Sequence, residues 1–448
     1  MKSSGEESRR LVAIQSGATF LQVAWAPDGE RLAYLKNYSL QFERVIETCD
    51  LKGGQISLIW SNPLLKNFCW TPRDRIIATL RDSEADASAS ASHSDLWEVE
   101  VRRHEAAGPP RRLTNFAGFT PISLSLTADG KKLALIRSYS QSDVWLGELE
   151  PGGEALKRPR RLTLDDRIDW PAGWTHDSKA VLFFSDRQGA LDIFRQPVEA
   201  RTAELVLQTS EEKRQPQLSP DGSWILYLAW SRTHAGASPS TGKIMRIPAA
   251  GGPPQPLLEV NGYPGSAQLP HELGARVLTS AGHPEFRCPH RPGSLCVLSE
   301  SDAGNKVVFY RFDPIRGNKS ELVRVEAGGP SFWDLSPDGS QIAFGEVGRK
   351  DRIRILSAGT AREIPIKGFR TIASVGWSTD GESFFLTGTA PEGGSVLRHV
   401  FADGRGSVLY QVDTWLERPM PSPDGRYLVF GQATSSNNVW TIENFEPK

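Results

Sequence analysis

A tetrapeptide, Ser-Pro-Asp-Gly, recurs along the chain and constrains its fold more than any other feature of the sequence. It occurs at Ser219–Gly222, Ser336–Gly339 and Ser422–Gly425. Four variants keep the aspartate between two apolar runs: Ala26–Gly29, Thr127–Gly130, Thr175–Ser178 and Ser378–Gly381. Asp-Gly in this setting predicts a tight turn, because glycine tolerates a positive φ and aspartate bonds its own backbone. Each copy therefore predicts a β-hairpin.

The spacing of these turn sites predicts the size of the repeating unit. Two weaker copies, at Phe68–Asp74 and Cys288–Gly293, bring the turn sites to nine. Between Asp28 and Asp424 the nine sites are on average about 50 residues apart, which is near the length of a four-stranded propeller blade. Apolar residues four and six positions after each aspartate share one strand face, and a third and a fourth strand follow before the next site.

The sequence therefore predicts an all-β fold: a single closed β-propeller of eight or nine four-stranded blades within residues 9–445. The blades are expected near residues 18–62, 67–116, 121–164, 170–209, 215–260, 284–326, 331–367, 372–411 and 417–445. The last unit lacks a fourth strand, and residues 9–15 form a strand without a blade. We expect this N-terminal strand, Arg10–Ile14, to join the last blade and close the ring. Two smaller rings are the alternative.

Composition limits the class of protein and of partner. Lys+Arg total 52 and Asp+Glu 53, so the net charge of −1 argues against nucleic acid as the main partner. The basic run Lys157–Arg161 is interpreted as a charged, solvated strand edge. With 39% hydrophobic residues and no long apolar run, the chain has a core but no predicted membrane span. Ser83–Ser94 and Ser231–Gly242 are interpreted as disordered insertions.

The repeat resembles the PD40 or TolB-like propeller repeat, in which a Trp-Ser-Pro-Asp-Gly turn is followed by an Arg-Leu-Thr strand ending. That ending stands here at Arg112–Thr114 and Arg161–Thr163. The ending Asn437–Phe445 and the segment Trp333–Gly339 resemble the C-terminal propeller of bacterial receptor-type Ser/Thr protein kinases. This resemblance implies a sensory or interaction module. It leaves the location open: cytoplasmic as the sequence is written, without a signal peptide, or extracytoplasmic within a membrane-anchored receptor kinase.

Catalytic motifs are missing from the sequence. No Gly-x-Ser-x-Gly nucleophile elbow and no kinase Gly-rich loop, His-Arg-Asp or Asp-Phe-Gly motif is present. The turn aspartates repeat at one position, so each is expected to serve its own hairpin. The prediction is a non-catalytic binding module that has neither a cofactor nor a metal ion. The alternative is a propeller enzyme of the lactonase, lyase or hydrolase-associated type with its active site in the channel.

The cysteines and nearby histidines leave three interpretations open. Cys288 and Cys296 stand on either side of the turn near Pro292–Gly293, so they form a cross-strand disulfide, remain free thiols, or belong to a metal site with His283 and His290. The spacing fits no common zinc pattern, so no metal is expected. Cys49 and Cys69 are expected to be core thiols.

A binding surface is expected where loops enter the innermost strands at one mouth of the channel. The candidate residues combine mixed charge with one aromatic ring: Asp166, Arg167, Asp169, Lys213, Arg214, Arg370, Trp415, Glu417 and Arg418. Such a set fits a polar peptide or protein partner of a monomeric propeller. The innermost strands otherwise read as mainly apolar, without channel-lining carboxylates.

Overall fold

A computed structural model describes the fold. It describes residues 10–13, 18–38, 43–51, 56–81, 94–102, 104–116, 119–188, 190–230, 242–261, 284–302, 306–349, 351–357 and 359–445. Within these residues the secondary structure is almost entirely β, with one short 3-10 turn at Pro151–Gly153. The predicted insertions at 83–94 and 231–242 lie almost wholly outside the described residues. The all-β prediction is confirmed.

The chain forms two compact units. Unit 1 comprises Met1–Tyr139, Thr233–Ser238 and Ser436–Lys448, and unit 2 comprises Ser140–Arg232 and Pro239–Ser435. Each unit has its own sheets, and most of them contain four strands that follow one another in the sequence. The prediction of repeated four-stranded sheets is confirmed.

Unit 1 contains the first three turn sites. Its first sheet is β1 (Ala18–Trp25), β2 (Arg31–Tyr38), β3 (Glu43–Asp50) and β4 (Ile56–Ser61). Its second is β5 (Leu65–Trp70), β6 (Arg75–Arg81), β7 (Ser94–Arg102), β8 (Glu105–Ala106) and β9 (Arg111–Arg112). Next come β10 (Thr120–Leu126) and the start of β11 (Lys132–Leu149), which passes into unit 2 after Tyr139.

Unit 2 contains the other six turn sites. After β12 (Leu156–Arg161), its first complete sheet is β13 (Asp169–Trp174), β14 (Ala180–Ser185), β15 (Asp192–Pro197) and β16 (Glu204–Leu207). The next is β17 (Glu212–Leu218), β18 (Trp224–Trp230), β19 (Gly242–Pro248) and β20 (Gln255–Val260). A third is β21 (Glu285–Arg287), β22 (Cys296–Ser301), β23 (Lys306–Phe312) and β24 (Lys319–Glu326).

Two more four-stranded sheets follow, and the last strands return to the first. The sheets are β25 (Ser331–Leu335), β26 (Ile342–Glu346), β27 (Arg352–Ser357) and β28 (Thr360–Pro365), then β29 (Thr371–Trp377), β30 (Ser383–Thr389), β31 (Ser395–Phe401) and β32 (Gly406–Val412). The chain ends with β33 (Trp415–Pro421) and β34 (Tyr427–Glu443). In unit 2, β33 pairs with the first part of β34, β34 is next to β11, and β11 pairs with β12.

The long strands β11 and β34 correct two predicted blades, 121–164 and 417–445. Each of these was expected to contain a hairpin between its second and third strands. Instead the chain stays extended, because residues 136–144 contain neither glycine nor proline and Asn437–Asn438 remains in the strand. One part of each long strand therefore serves a sheet of unit 1 and the other part a sheet of unit 2.

The prediction that Arg10–Ile14 forms a strand and joins the last blade is wrong for the residues that the structure describes. Residues 10–13 form no strand, and Ile14 lies outside the described residues. The neighbours of β34 are β33 and β11. The prediction left one edge of β34 without a neighbouring strand. In the structure β11 lies along that edge, although the spacing of the turn sites had assigned β11 to a single blade.

The turn sites form as their residues predict. At Asp221, the carboxylate accepts hydrogen bonds from the Ser219 hydroxyl (2.5 Å) and the Ser223 backbone N–H (3.2 Å). The Ser219 hydroxyl in turn accepts from the Trp224 N–H at 3.0 Å. Gly222 has φ +74°, the left-handed region that favours glycine. The same bonds recur at Asp338 and Asp424, so these three turn aspartates are used within their own hairpins.

The core lies between neighbouring sheets. Phe332 and Ile353 of one sheet pack with Ile372 and Phe384 of the next, and all four side chains are buried. Aliphatic and aromatic residues on alternating strand positions supply these faces, as expected for sheets packed face to face. This packing fixes the first strand of each sheet, and the charged residues of the candidate binding site lie on these first strands.

Candidate binding site

The predicted channel-mouth residues all lie in unit 2, but the structure separates them into groups. Asp166 and Arg370 are exposed and Arg167 is half-buried. Trp415 is buried on β33 and packs with Ala373. The others are charged side chains on or beside first strands: Asp169 on β13, Lys213 and Arg214 on β17, and Glu417 and Arg418 on β33.

Two of these charged residues are held within ion pairs of the blade. The Lys213 ammonium lies 2.8 Å from a carboxylate oxygen of Asp192, and both side chains are fully buried. The Asp169 carboxylate lies 2.8 Å from the Arg187 guanidinium. Burial raises the pKa of Asp169 to about 6, although Arg187 opposes that rise. Both residues are therefore held in place by an oppositely charged neighbour, although one carboxylate oxygen of Asp169, Oδ2, has no hydrogen-bond partner among the described residues.

Glu417 and Arg418 lie at an irregularity of β33. The pairing of β33 with β34 shifts between Glu417 and Met420, and Arg418 has φ +50°. A non-glycine residue in this left-handed region is uncommon. The same positive φ recurs at the equivalent irregularities of two other first strands, at Ser123 on β10 and Gln215 on β17, so it is a feature of the repeat. The Arg418 backbone N–H donates to the Ser374 hydroxyl at 3.1 Å. This bulge turns two consecutive charged side chains away from the strand's regular alternation.

A glycine on the neighbouring strand makes room for the bulge. The carbonyl oxygen of Pro419 lies so close to Gly376 on β29 that a Cβ there would overlap it. Gly431 on β34 has a similar role, because a Cβ at this position would lie 2.9 Å from Cγ of Glu417. The close approach of two backbones therefore requires glycine at position 376, whereas Gly431 leaves room for the Glu417 side chain.

Three further charged residues join this pair, and sequence reasoning missed them. Glu285 accepts hydrogen bonds from Arg418 (3.4 Å) and Arg287 (3.2 Å). Arg287 also forms an ion pair with Asp334, at 3.3 Å. We call Glu285, Arg287, Asp334, Glu417 and Arg418 the central cluster. It spans the first strands of three sheets: β21, β25 and β33.

The central cluster corrects the expectation of mainly apolar innermost strands. A signal was present for Asp334, which lies four residues before its turn aspartate, at a position that Gln217 occupies in another repeat. Both are polar residues within otherwise buried strands, and both bond the next sheet: Gln217 bonds the backbone of Phe286, and Asp334 accepts from the Trp377 N–H. Glu285 and Arg287 carried no such signal, because their turn site departs from the repeat.

Glu417 is the most buried member of the cluster. Its side chain is almost completely inaccessible, and burial raises its pKa to about 7. The charge of Arg418 and a hydrogen bond from the Trp170 side chain oppose this rise. A hydrogen bond from the Ser142 side chain opposes it as well. A buried carboxyl of this kind is unusual outside functional sites.

Arg418 is buried beside other guanidinium groups. Burial lowers its pKa, Glu285 raises it, and the charges of Arg287 and Arg214 lower it further. Within the described part of the chain, its Nε atom has no hydrogen-bond partner. Arg214 donates to Glu212 at 3.3 Å, on the same strand. The guanidinium of Arg418 is therefore only weakly satisfied by its long contact with Glu285.

The central cluster lines a cavity within unit 2. Its empty volume is about 560 Å³, including space open to solvent. Apolar side chains of Phe332, Trp333, Val375 and Met420 complete the wall, together with the Ser374 hydroxyl. A concave site with apolar walls and a few convergent polar groups is typical of a ligand-binding site.

Two of the cysteines lie in unit 2, outside the central cluster, and the other two are buried in unit 1. Cys288 and Cys296 form a disulfide, with Cα atoms 4.3 Å apart. Cys49 and Cys69 are buried free thiols, and burial raises the pKa of Cys69 to about 12. His283 lies outside the described residues. In the described ranges, no three His, Cys, Asp or Glu side chains lie close enough together to hold a metal ion.

No protein-family model matches the sequence, and no curated protein matches it. In the part of the chain that the structure describes, no helix has the length and apolar character to cross a membrane.

Similar solved structures include TolB from Acinetobacter baumannii, at 14% identity and a TM-score of 0.43, covering 82% of this chain and 81% of that one. The nidogen/laminin complex is similar at 11% identity and a TM-score of 0.41, covering 64% and 97%. Oligogalacturonate lyase from Vibrio parahaemolyticus is similar at 10% identity and a TM-score of 0.29, covering 92% and 89%. These values carry no argument about activity or partners. The repeated four-stranded sheets fit the blades of a TolB-like β-propeller, as the sequence resemblance predicts.

Proposed function

We propose that the chain is a non-catalytic binding module, and that unit 2 binds a polar segment of a protein partner in its central cavity. The observation that carries this proposal is the central cluster: five charged residues that converge, with apolar side chains, on the wall of one cavity. A concave site of this composition suits a polar ligand, and its charges fix the orientation of that ligand. The sequence resemblance to sensory propellers supports a place in a bacterial signalling protein.

We further propose that unit 2 is a closed six-bladed propeller. Among its first strands, β13 contacts β17, β17 contacts β21, β25 contacts β29, β29 contacts β33, and β33 contacts β13. Between β21 and β25 the link is the ion pair of Arg287 with Asp334. One sheet combines β33 and β34 from the end of the chain with β11 and β12. Such a mixed sheet removes the free edges that an open row of blades would expose. The nine turn sites then divide into three in unit 1 and six in unit 2.

The second candidate is an enzyme with its active site in the same cavity, of the lyase, lactonase or hydrolase-associated type. It is favoured by one observation, the Glu417 carboxyl, whose pKa of about 7 is that of a general acid or base. Against it, the carboxylates Glu285 and Asp334 are already paired with arginines. The binding function therefore stands first.

Peptide selection tests the proposal. Random peptides displayed on phage are selected on the immobilised protein, and the affinity of the enriched peptides is measured by calorimetry. We expect binding to weaken at least about tenfold in Arg418→Met. The matched control is Arg405→Met, in which an 85% exposed arginine of the same unit is replaced. Equal affinities for wild type and R418M would contradict the proposed site.

A turnover assay separates the two candidates. The wild-type protein is incubated with oligogalacturonate, lactones and the selected peptides, and products are measured by mass spectrometry. We expect no turnover. If the wild-type protein shows turnover and Glu417→Gln abolishes it, the chain is an enzyme and the proposal of a non-catalytic binding module is wrong.

A further inference from the structure

The outer face of the first sheet of unit 1 is apolar and exposed. The other face of this sheet packs on the next sheet, where Ala33 and Ile46 join Phe68 in one buried cluster. Strand pairing places alternate residues of β1, β2, β3 and β4 on the outer face, which we call the opening face. Five of its large apolar side chains are between 43% and 64% exposed: Phe20, Val23, Trp25, Ile56 and Leu58. A contiguous apolar face of this kind marks an interaction surface.

In unit 2 the equivalent face of a sheet is covered by the preceding sheet. Trp174 and Trp377 lie three residues before their turn aspartates, as Trp25 does, and they are only 2% and 4% exposed. Trp377 packs in one cluster with Ala343 of the preceding sheet, and Trp174 does so with Val429. Ala343 and Val429 both lie five residues after their own turn aspartates. The tryptophan position therefore faces the preceding sheet, and the fifth position after the aspartate faces the following one.

Unit 1 ends in the face that complements the opening face. Within the described residues its last sheet consists of β10 and parts of β11 and β34, and the sheet that follows in the sequence belongs to unit 2. Ala134 lies five residues after its turn aspartate, Asp129, and is only half-buried. By alternation Ala134 shares its face with Lys132, which forms an ion pair with Glu443 at 3.3 Å. Val439 lies on the same face of β34 as Glu443 and is 77% exposed. We call this surface the closing face.

The charges within both faces are largely paired. On the opening face, the Lys36 ammonium lies 2.5 Å from a carboxylate oxygen of Glu47. Glu43 lies at the rim of this face, at the first residue of β3. On the closing face, Lys132 and Glu443 neutralise each other. The two faces can therefore meet without strong repulsion between like charges.

We infer that unit 1 binds unit 1 of a second copy of this chain, with the opening face of each copy packed on the closing face of the other. Unit 1 has three turn sites and unit 2 has six, so two copies of unit 1 supply the number proposed to close the ring of unit 2. Two identical junctions related by a twofold axis cover both faces of both copies. The number six rests on the proposed closed ring of unit 2, whereas the surface is independent of the central cavity. Sequence analysis expects a monomeric propeller, and this assembly replaces that expectation.

The area of the two faces suits a reversible dimer. Three or four strands that are about 4.8 Å apart and about 20 Å long cover roughly 300 to 400 Å². Each copy contributes one opening face and one closing face, so roughly 600 to 800 Å² per copy is covered, close to the ~800 Å² per partner of a standard interface. An area at the lower end of this class fits a dissociation constant of about 10 µM.

Sedimentation equilibrium of the full chain tests the assembly. We expect wild type to form a reversible dimer between about 1 and 100 µM. Trp25→Glu places a charge within the junction and should raise the dissociation constant of the dimer at least about 100-fold. Leu205→Glu is the matched control, because it replaces a 43% exposed leucine of unit 2, and it should leave the dissociation constant unchanged. A wild-type protein that stays monomeric up to about 100 µM overturns the inference.

A second variant identifies which faces meet. Val439→Glu changes the closing face alone, at a side chain that is 77% exposed and outside the core, and it should weaken the dimer at least about tenfold. If W25E dissociates the dimer and V439E does not, the opening face packs on something other than the closing face, and the inferred assembly is wrong. Thermal melting at about 1 µM, where wild type and variants are all monomeric, checks that each variant is folded.

The outcomes separate this inference from the proposed function. Selected peptides should bind W25E and wild type with equal affinity, because Trp25 lies in unit 1 and the central cluster in unit 2. If no dimer forms while selected peptides still depend on Arg418, the binding module remains and the assembly is wrong. If W25E and V439E both dissociate the dimer but no peptide depends on Arg418, the assembly remains and the proposed binding site is wrong.

Discussion

The first strands of the two units are made from the same repeat but differ in burial. In β1 of unit 1, Phe20, Leu21, Val23 and Trp25 are all exposed, Trp25 to 59%. In unit 2, the tryptophans at the equivalent position, three residues before the turn aspartate, are Trp174 at 2% and Trp377 at 4%. The repeat therefore determines where a tryptophan stands on its strand, whereas burial is determined by neighbouring strands.

The neighbours of each strand explain the difference. β29, which carries Trp377, contacts the first strands on both sides, β25 and β33. β1 contacts β2 and β5 of its own unit. A side chain that packs between two sheets loses most of its contact with water, and the gain in free energy scales with the apolar area removed. The tryptophan at this position of the repeat therefore contributes more to the free energy of folding in unit 2 than in unit 1.

The comparison is tested most directly by removing equivalent tryptophans. Trp377→Ala should lower the free energy of unfolding by about 4 kcal/mol, because it leaves a cavity in the core. Trp25→Ala should lower it by less than about 1 kcal/mol, because the ring is mostly in water. Urea unfolding at 25 °C measures both. Equal losses in the two variants would contradict the burial difference.

The pH dependence of stability tests the burial of Glu417 in unit 2. Its pKa is about 7 in the folded protein and about 4.5 when unfolded. As the pH rises between these values, the unfolded state releases the proton while the folded state keeps it, so stability falls. Above about pH 7 the full penalty is present, about 3 kcal/mol from the difference in pKa.

Glu417→Gln removes this titration and provides the measurement. The stability of the variant relative to wild type should rise by about 3 kcal/mol between about pH 4 and pH 8, measured by urea unfolding. Glu204→Gln, an exposed carboxylate of the same unit, serves as the control. A constant difference between E417Q and wild type across this range would show that Glu417 is not buried as described.

The close approach of β29 and β33 gives a third test. Gly376→Ala places a methyl group against the Pro419 carbonyl and should cost about 2 kcal/mol. Gly329→Ala, in the same unit, is the matched control, since no atom lies within 4 Å of its added Cβ. Both are measured by thermal and urea unfolding. A neutral effect of G376A would argue against the packing of the bulge.

The smallest expected effect concerns unit 1. The Arg31 guanidinium bridges Asp28 (2.6 Å) and Asp74 (2.7 Å), which belong to two turn sites. Arg31→Met should cost about 1 kcal/mol, and the loss should shrink at high salt because Asp74 is partly exposed. Arg102→Met, whose arginine is 73% exposed, should have no measurable effect. A salt-independent loss would indicate that packing, not charge, is the main contribution.

Sequence reasoning predicted the local features well, for reasons visible in single residues. The Ser-Pro-Asp-Gly sites form turns because the bonds that make them, such as Ser219 to Asp221, lie within six residues of each other. It also selected Glu417 and Arg418, because both lie near the start of a first strand, shortly after the loop that leads into it. It could not select Glu285, which contacts Arg418 across 133 residues of the chain, or Arg287, which is paired with Glu285.

What the sequence determined by itself is the repeat: nine turn sites, strands of alternating character and an all-β fold. These depend on short-range bonds and on the period of apolar residues, which a single strand already contains. The tertiary structure alone decided that β11 and β34 continue without a turn, that the chain divides into two units, and that five charged residues meet at a cavity. These depend on contacts between residues far apart in the chain, whose free energies exist only once the sheets have packed together.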